Sequence, residues 1–235
     1  MLNKNFWTKY FSVYDYLNHL IPYQELMDDV IKNLDIKRNE LILDIGCGTG
    51  NIAFLLNNFG VRMVGIDSSL EGINKCRKKI PAMEVIQGDI KEALPFKDNY
   101  FDKVLTVNTL YTIDISKRLG LMKEIYRVLK PEGKIVIANI AKGFNSCSIY
   151  IDHIRKSFNK YGFFPTLSVL IKLSIPTIRI FYYNYLINRE DTKHTLKFVD
   201  LDEQANLLKQ SGFINITDNL SVYSNQGILN TGKKK

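Results

Sequence analysis

Three short strings carry groups whose types and spacing could hold a nucleoside. The first is Leu43-Asp44-Ile45-Gly46-Cys47-Gly48-Thr49-Gly50, in which an apolar run ends in three glycines at alternate positions with an acid just before them. Glycine is needed where a turn is tight and the backbone must approach a ligand with no Cβ in the way. A helix starting behind that turn offers unpaired N–H groups. The second string, Val64-Gly65-Ile66-Asp67, closes another apolar run with a carboxylate. At a strand tip such a group can accept from both hydroxyls of a ribose. The third, Gln87-Gly88-Asp89-Ile90, sets an acceptor for a purine amino group beside an apolar side chain that can pack on the ring. Each acid also has a plainer use, since Asp67, like Ser68 and Ser69, caps helices well and Asp89 is a common turn residue.

Spacing separates the candidate ligands. A dinucleotide fingerprint reads G-x-G-x-x-G, with the helix end at a pyrophosphate. Here the pattern is G-x-G-x-G, preceded by Asp44. A nicotinamide-dependent oxidoreductase is therefore the lesser reading, although Asp67 alone would serve either kind of ligand.

The elements that must position these strings follow from the apolar periodicity. Residues 41–45, 61–66, 85–87, 101–107 and 134–140 read as buried strands, with a helix near 49–58 after the first. Leu119, Met122, Ile125, Tyr126 and Leu129 recur at helical spacing with Lys123, Glu124, Arg127 and Lys130 outside, an amphipathic crossover helix that Pro131-Glu132-Gly133 is expected to stop. Strands alternating with helices imply an α/β fold with a parallel sheet, right-handed crossovers and helices on both faces. Residues 203–210 read as a last helix, and 213–217 with 226–231 as a final antiparallel strand pair. The aromatic first forty residues read as helical.

Taken in order, Gly46–Gly50, Asp67, Gln87-Gly88-Asp89, Leu94-Pro95-Phe96, Phe101-Asp102 and Leu129-Lys130-Pro131-Glu132-Gly133-Lys134 resemble the class I S-adenosylmethionine-dependent methyltransferases of the "type 11" group over residues 39–141. Tyr10-Phe11-Ser12-Val13-Tyr14-Asp15-Tyr16-Leu17-Asn18 is similar to the opening of the ubiquinone and menaquinone methyltransferases, where such a helix lids the cofactor. The resemblance implies a Rossmann-like, seven-stranded, mostly parallel sheet in a single domain: an N-terminal lid (1–38), a cofactor core (39–141), a helical substrate cap (145–200), and a final helix and strands (201–235).

The resemblance also implies roles. S-adenosylmethionine would be the cofactor, with Gly46, Gly48 and Gly50 lining its methionine end and Asp44 below the turn, near the ammonium. Asp67 would hold the ribose hydroxyls, Ser68 would flank the adenine, and Asp89 and Ile90 would bind it. Asn108 would offer its carbonyl to the ammonium, and Tyr14 would cover the sulfonium. Tyr111, after the fourth strand, is the candidate catalytic residue, shaping the acceptor pocket or aiding proton transfer. His19, His153 and His194 sit in no catalytic string and read as surface or satisfied histidines.

Composition narrows the acceptor. Val107-Asn108-Thr109-Leu110-Tyr111 is not the N-P-P-Y or D-P-P-Y string used on exocyclic or amide nitrogens, and no Pro-Cys pair is present. No pair of acids or C-x-x-C pair indicates a metal. The three cysteines are scattered, as suits a reducing cytosol, and no signal-peptide run opens the chain, so a cytoplasmic enzyme is expected. The net charge of +8 is partly a lysine run at 233–235, expected to be frayed and solvated, and no compact basic cluster points to nucleic acid. Lys172, Arg179, Pro165 and Pro176 interrupt the aromatic stretch 163–188, which disfavours a membrane span. That stretch reads as a substrate cap, with peripheral membrane contact as the second reading. The expected function is methyl transfer to a small or lipophilic acceptor. A non-catalytic S-adenosylmethionine-binding subunit is the further alternative, and oligomeric state is not legible.

Overall fold

The computed structural model describes the backbone of residues 4–192 and 197–235, and the side chains of residues 6–189 and 197–235. Strands β1 (Leu41–Ile45), β2 (Arg62–Asp67), β3 (Glu84–Gln87), β4 (Phe101–Val107), β5 (Leu129–Ile140), β6 (Leu220–Val222) and β7 (Gly227–Lys233) form one sheet in the order β3-β2-β1-β4-β5-β7-β6. β1 to β5 are parallel and β7 is antiparallel to both its neighbours. Strand order reverses between β1 and β4, and the loops after these two strands open at the carboxyl edge, where ligands of open α/β sheets bind.

Alternation along the strands explains the two layers. Ile42, Leu105, Val136 and Ala138 share a core with Leu26, Met27, Val30 and Leu34 of α2 (Ile21–Leu34). Leu41, Leu43, Ile45, Val104, Ile135 and Ile137 pack instead on Leu121, Met122, Ile125 and Val128 of α5 (Ile115–Val128) and on Leu207 and Leu208 of α9 (Glu203–Gln210). Side chains of a strand point to alternate faces, so Asp44 and Ile42 face the α2 side while Leu43 and Ile45 face the other. Helices α3 (Asn51–Leu56) and α4 (Leu70–Lys79) follow β1 and β2.

The two additions to the sheet are helical. α1 (Lys4–Tyr14) and a tight turn of helix at Asp15–His19 precede α2. After β5 come α6 (Ser146–Tyr161), α7 (Phe163–Lys172) and α8 (Ser174–Thr192). The inner face of α8 packs on α1, with the Tyr183 ring edge-on to Phe6 and Tyr10 at 5.6 and 5.8 Å.

Four expectations need correction. Residues 213–217 are not a ladder strand, because Asn215 adopts φ +50° and breaks the extended run; only Ile214 bridges Lys233 there, and the strand paired with β7 is β6. Pro131-Glu132-Gly133 does not stop the crossover helix, which ends at Val128. It lies inside β5, where the pairing with β4 shifts register between Phe101 and Lys103 and Glu132 takes φ +62°. The terminal lysines are not frayed. Lys233 pairs with Lys134 in the β5–β7 ladder, and Lys234 is buried, donating to Asn99 Oδ1 and to the Leu129 carbonyl, each at 2.8 Å. Residues 49–58 hold only a short helix, α3, followed by a tight turn of helix at Asn57–Phe59.

Candidate active site

The site begins at the turn after β1. Gly46, Gly48 and Gly50 all have positive φ, between +51° and +75°, a region closed to most side chains. At Gly46 space excludes a side chain as well, because a Cβ would stand 2.2 Å from Thr109 Oγ1. At Gly48 it would meet the Phe11 ring at 3.0 Å, so α1 lies directly over the loop.

Asp67 holds that loop from the tip of β2. Its Oδ2 accepts from the Gly48 amide and its Oδ1 from the Ser69 amide, both at 2.8 Å. Burial pushes its carboxyl up, and the backbone hydrogen bonds pull against that rise. Ser69, the cap of α4, accepts from Gly72 at 3.3 Å, whereas Ser68 is exposed. The Gly88 amide donates to the Asp67 carbonyl at 3.0 Å, which brings the next loop alongside. There Asp89 is exposed and its Oδ1 accepts from the Lys91 amide at 3.0 Å, a turn bond; Ile90 is buried in the core that holds Ile66 and Leu94.

Asp44 is the unusual group. It is buried, its Oδ2 has no hydrogen-bond partner, and burial raises its carboxyl well above the usual range, with Cys76 and Asp67 adding to the rise. A buried, unpartnered carboxylate oxygen is costly unless a donor reaches it. This orphan beside a side-chain-free loop fits a ligand that brings a cationic N–H group.

The loop after β4 completes the floor. Asn108 takes φ +52°, a conformation Asn tolerates, and donates its amide to the Ala138 carbonyl at 2.8 Å. Asn139 Oδ1 accepts from the amides of Thr109 and Leu110 at 3.0 and 2.9 Å. Its Nδ2 donates to Gln204 Oε1 at 2.7 Å, and Gln204 in turn donates to Asn230 Oδ1 at 3.0 Å. Sequence reading passed over this chain of amides. Its signal was a lone Asn inside the apolar run 135–140 of a central strand.

The N-terminal segment expected to form the lid is tied down by polar bonds. Lys79 Nζ donates to Asp15 Oδ1 at 2.9 Å and to Asn51 Oδ1 at 2.6 Å, Thr49 Oγ1 donates to Asp15 Oδ1 at 2.6 Å, and Lys75 Nζ donates to the Phe11 carbonyl at 2.8 Å. Beyond the loop lie two chambers that share Leu17, Asn184 and Tyr223. The inner one, with about 30 Å³ of free space, brings together Tyr14, Asn108 and Tyr111 with Tyr10. The outer one, also with about 30 Å³ of free space, is walled by Leu20, Ile149, Leu173, Ile180 and Phe181. No Asp, Glu, His, Lys or Arg lines either chamber among the described residues. Burial raises the phenols of Tyr10, Tyr14 and Tyr111 above their ordinary range, so they stay neutral.

The histidines lie elsewhere. His19 is exposed at the end of the lid turn, and His194 lies outside the described residues. His153 is buried on α6, where its Nδ1 accepts from the Ile21 amide at 3.2 Å at the start of α2 and burial lowers its pKa. It is a satisfied structural histidine.

Comparison with known proteins agrees with this geometry. Residues 43–137 match the methyltransferase domain family. An uncharacterized protein of Methanocaldococcus jannaschii is 31% identical over 212 residues, covering 89% of this chain and 75% of the relative. A demethylmenaquinone methyltransferase of Lactobacillus johnsonii is 26% identical over 87% of this chain and 86% of its own. The fold is shared with a Thermotoga maritima S-adenosylmethionine-dependent methyltransferase, described as a possible histamine N-methyltransferase, at TM-score 0.64 and 19% identity over 98% and 99% of the two chains. The chain thus belongs to the class I methyltransferases, enzymes whose cofactor is S-adenosylmethionine.

Proposed function

We propose that this methyltransferase acts on a small lipophilic acceptor held between lid and cap. The observation that carries the reading is the pair of adjoining chambers, walled mainly by aromatic and aliphatic side chains, with Asn108, Ser146, Thr177 and Asn184 as neutral polar groups and no charged side chain among the described residues. A charged acceptor would be desolvated there with no partner. The Lactobacillus relative, named for demethylmenaquinone, supports a ring acceptor of quinol type.

The residue roles are part of the proposal. Asp44, with its orphan oxygen, would receive the ammonium of the cofactor beside Gly46, Gly48 and Gly50, and the Asn108 carbonyl would take a second N–H. Asp67 keeps lone pairs for the ribose hydroxyls beyond its two amide bonds. Ser68, Asp89 and Ile90 would flank the adenine, and Tyr14 would screen the sulfonium from water. When bound, S-adenosylmethionine supplies a methyl group already activated for displacement. The protein then has to align the acceptor and exclude water. Tyr111, neutral and buried, would donate a hydrogen bond or simply shape the wall; it would not remove a proton.

The test is transfer of a labelled methyl group from S-adenosylmethionine to a panel of naphthoquinols, long-chain phenols and small polar amines. Turnover confined to the lipophilic members is expected. Turnover confined to the polar amines overturns the acceptor assignment, and no turnover with intact S-adenosylhomocysteine binding favours the binding-subunit alternative.

A further inference from the structure

The outer faces of α7 and α8 are apolar and exposed, with no described residue of this chain covering them. Along α8 the buried residues Ile180, Tyr183, Asn184 and Ile187 define the inner face, while Ile175, Ile178 and Tyr182 are 71%, 68% and 58% exposed on the other side. On α7 only Thr166 is buried; Phe164 is 81% exposed and Ile171 67%. Of the 21 large hydrophobic residues exposed in the described chain, 11 lie between positions 151 and 185. Such concentration on one surface marks a contact site, whereas scattered exposure needs no explanation.

Charge selects the partner. Between residues 153 and 189 there are six basic residues, Arg155, Lys156, Lys160, Lys172, Arg179 and Arg189, and no acid. Arg155 and Lys156 are paired with Asp152, and Arg179 donates to Ser12 Oγ on α1 at 3.2 Å, so the outward charge rests chiefly on Lys160 and Lys172, both exposed. Apolar and aromatic side chains framed by lysine and arginine match the boundary between acyl chains and anionic headgroups.

The helices are not arranged to cross a bilayer. Among the described residues no single helix is long and apolar enough, and the α7–α8 pair that passes together is bent by 63° with its inner face committed to the lid. We propose that the outer face of α7 and α8 docks on an anionic lipid surface, with α8 serving as a wall between bilayer and acceptor chamber. The chamber is lined from the inner side of the same segment by Leu173, Thr177, Ile180 and Phe181, so the docked face and the acceptor share one element. The inference goes beyond the acceptor assignment and does not need it, because docking is measured without turnover.

The experiment is co-sedimentation of the protein with vesicles of phosphatidylcholine alone and with added phosphatidylglycerol, over a range of salt. Binding to the anionic vesicles, weakened by salt, is expected. Lys160→Glu and Lys172→Glu should each weaken partition about fivefold or more, the equivalent of ~1 kcal/mol per basic residue near an anionic surface. Phe163→Ser/Phe164→Ser should abolish binding with S-adenosylhomocysteine affinity unchanged, the readout of an intact fold. If that pair disturbs folding, Ile175→Ser/Ile178→Ser on α8 carries the same expectation. Wild-type protein that binds S-adenosylhomocysteine yet stays in the supernatant with both vesicle types overturns the proposal. So does a dimer in sedimentation velocity that the phenylalanine variant dissolves, since the face would then serve a second copy.

Discussion

Asp67 Oδ2 accepts the Gly48 amide at 2.8 Å, so the carboxylate at the tip of β2 sets the conformation of the glycine turn after β1. Its other oxygen, on the Ser69 amide, ties the same group to the start of α4. Loop geometry thus depends on the side chain proposed to hold the ribose. Asp67→Ala removes both charge-assisted bonds, and S-adenosylhomocysteine affinity is expected to fall roughly 10- to 100-fold, the scale of a hydrogen bond to a charged group. Calorimetric titration measures it. Wild-type affinity in the variant would remove Asp67 from the cofactor site.

Asp44, proposed to receive the ammonium of the cofactor, costs the free protein stability. Its folded pKa is raised above the unfolded value by burial, so its contribution is fully present below the ordinary aspartate pKa of 3.8 and is lost as pH rises through the raised folded value. At neutral pH the buried, unpartnered carboxyl opposes folding. Asp44→Asn should therefore raise the melting temperature of the free protein at pH 7, flatten its dependence on pH above 4, and lose most of the stabilisation that S-adenosylhomocysteine gives the wild type. Thermal melts across pH with and without that ligand read all three. A variant less stable than wild type at pH 7 but fully stabilised by ligand would contradict the assignment.

Asn139 holds the turn that carries Asn108 and Tyr111 by accepting two amides on one oxygen, and Gln204 holds Asn139. Asn139→Leu leaves the Thr109 and Leu110 amides and Gln204 Oε1 unsatisfied in the interior. A loss of about 2–5 kcal/mol in denaturant unfolding is expected. Gln204→Leu should lose less alone and little more in combination with Asn139→Leu, because the two act as one network. Additive losses would show that the residues act independently.

Much of this was legible in the chain. The strand at 41–45, its glycine turn and the acid at 67 could be read because each is a local pattern: a short apolar run, a break that only glycine allows, and a polar residue at its end. The segment 213–217 was misread since Phe213 and Ile214 look like the start of a strand, and nothing local signals that Asn215 turns left-handed. Pro131 looked like a helix stop because the helix does end nearby. That the proline sits in a register shift of β5 depends on its partner strand β4. Of the chambers only Tyr14, Asn108, Tyr111 and the cap segment were legible; Tyr10, Asn184 and Tyr223 join them only through folding. Lys234 is the same case, an apparent tail residue that the β5–β7 pairing draws over the Tyr126 ring at 4.9 Å.

Tyr111 allows the sharpest test of how little acid–base chemistry the protein supplies. Its phenol is buried, edge-on to the Phe198 ring at 5.6 Å, and burial with the nearby Tyr23 raises its pKa above the ordinary phenol range. A group that stays protonated through the working range cannot act as the base that collects the acceptor's proton. Tyr111→Phe should leave kcat within about threefold of wild type and leave the pH profile to follow the acceptor's own ionisation, whereas Tyr111→Ala, which opens the wall, should raise KM for the acceptor. A general base typically contributes on the order of 100-fold or more. A fall of that size in Tyr111→Phe, with loss of the basic limb of the profile, would make Tyr111 a proton acceptor after all and require a phenolate stabilised by the bound substrate.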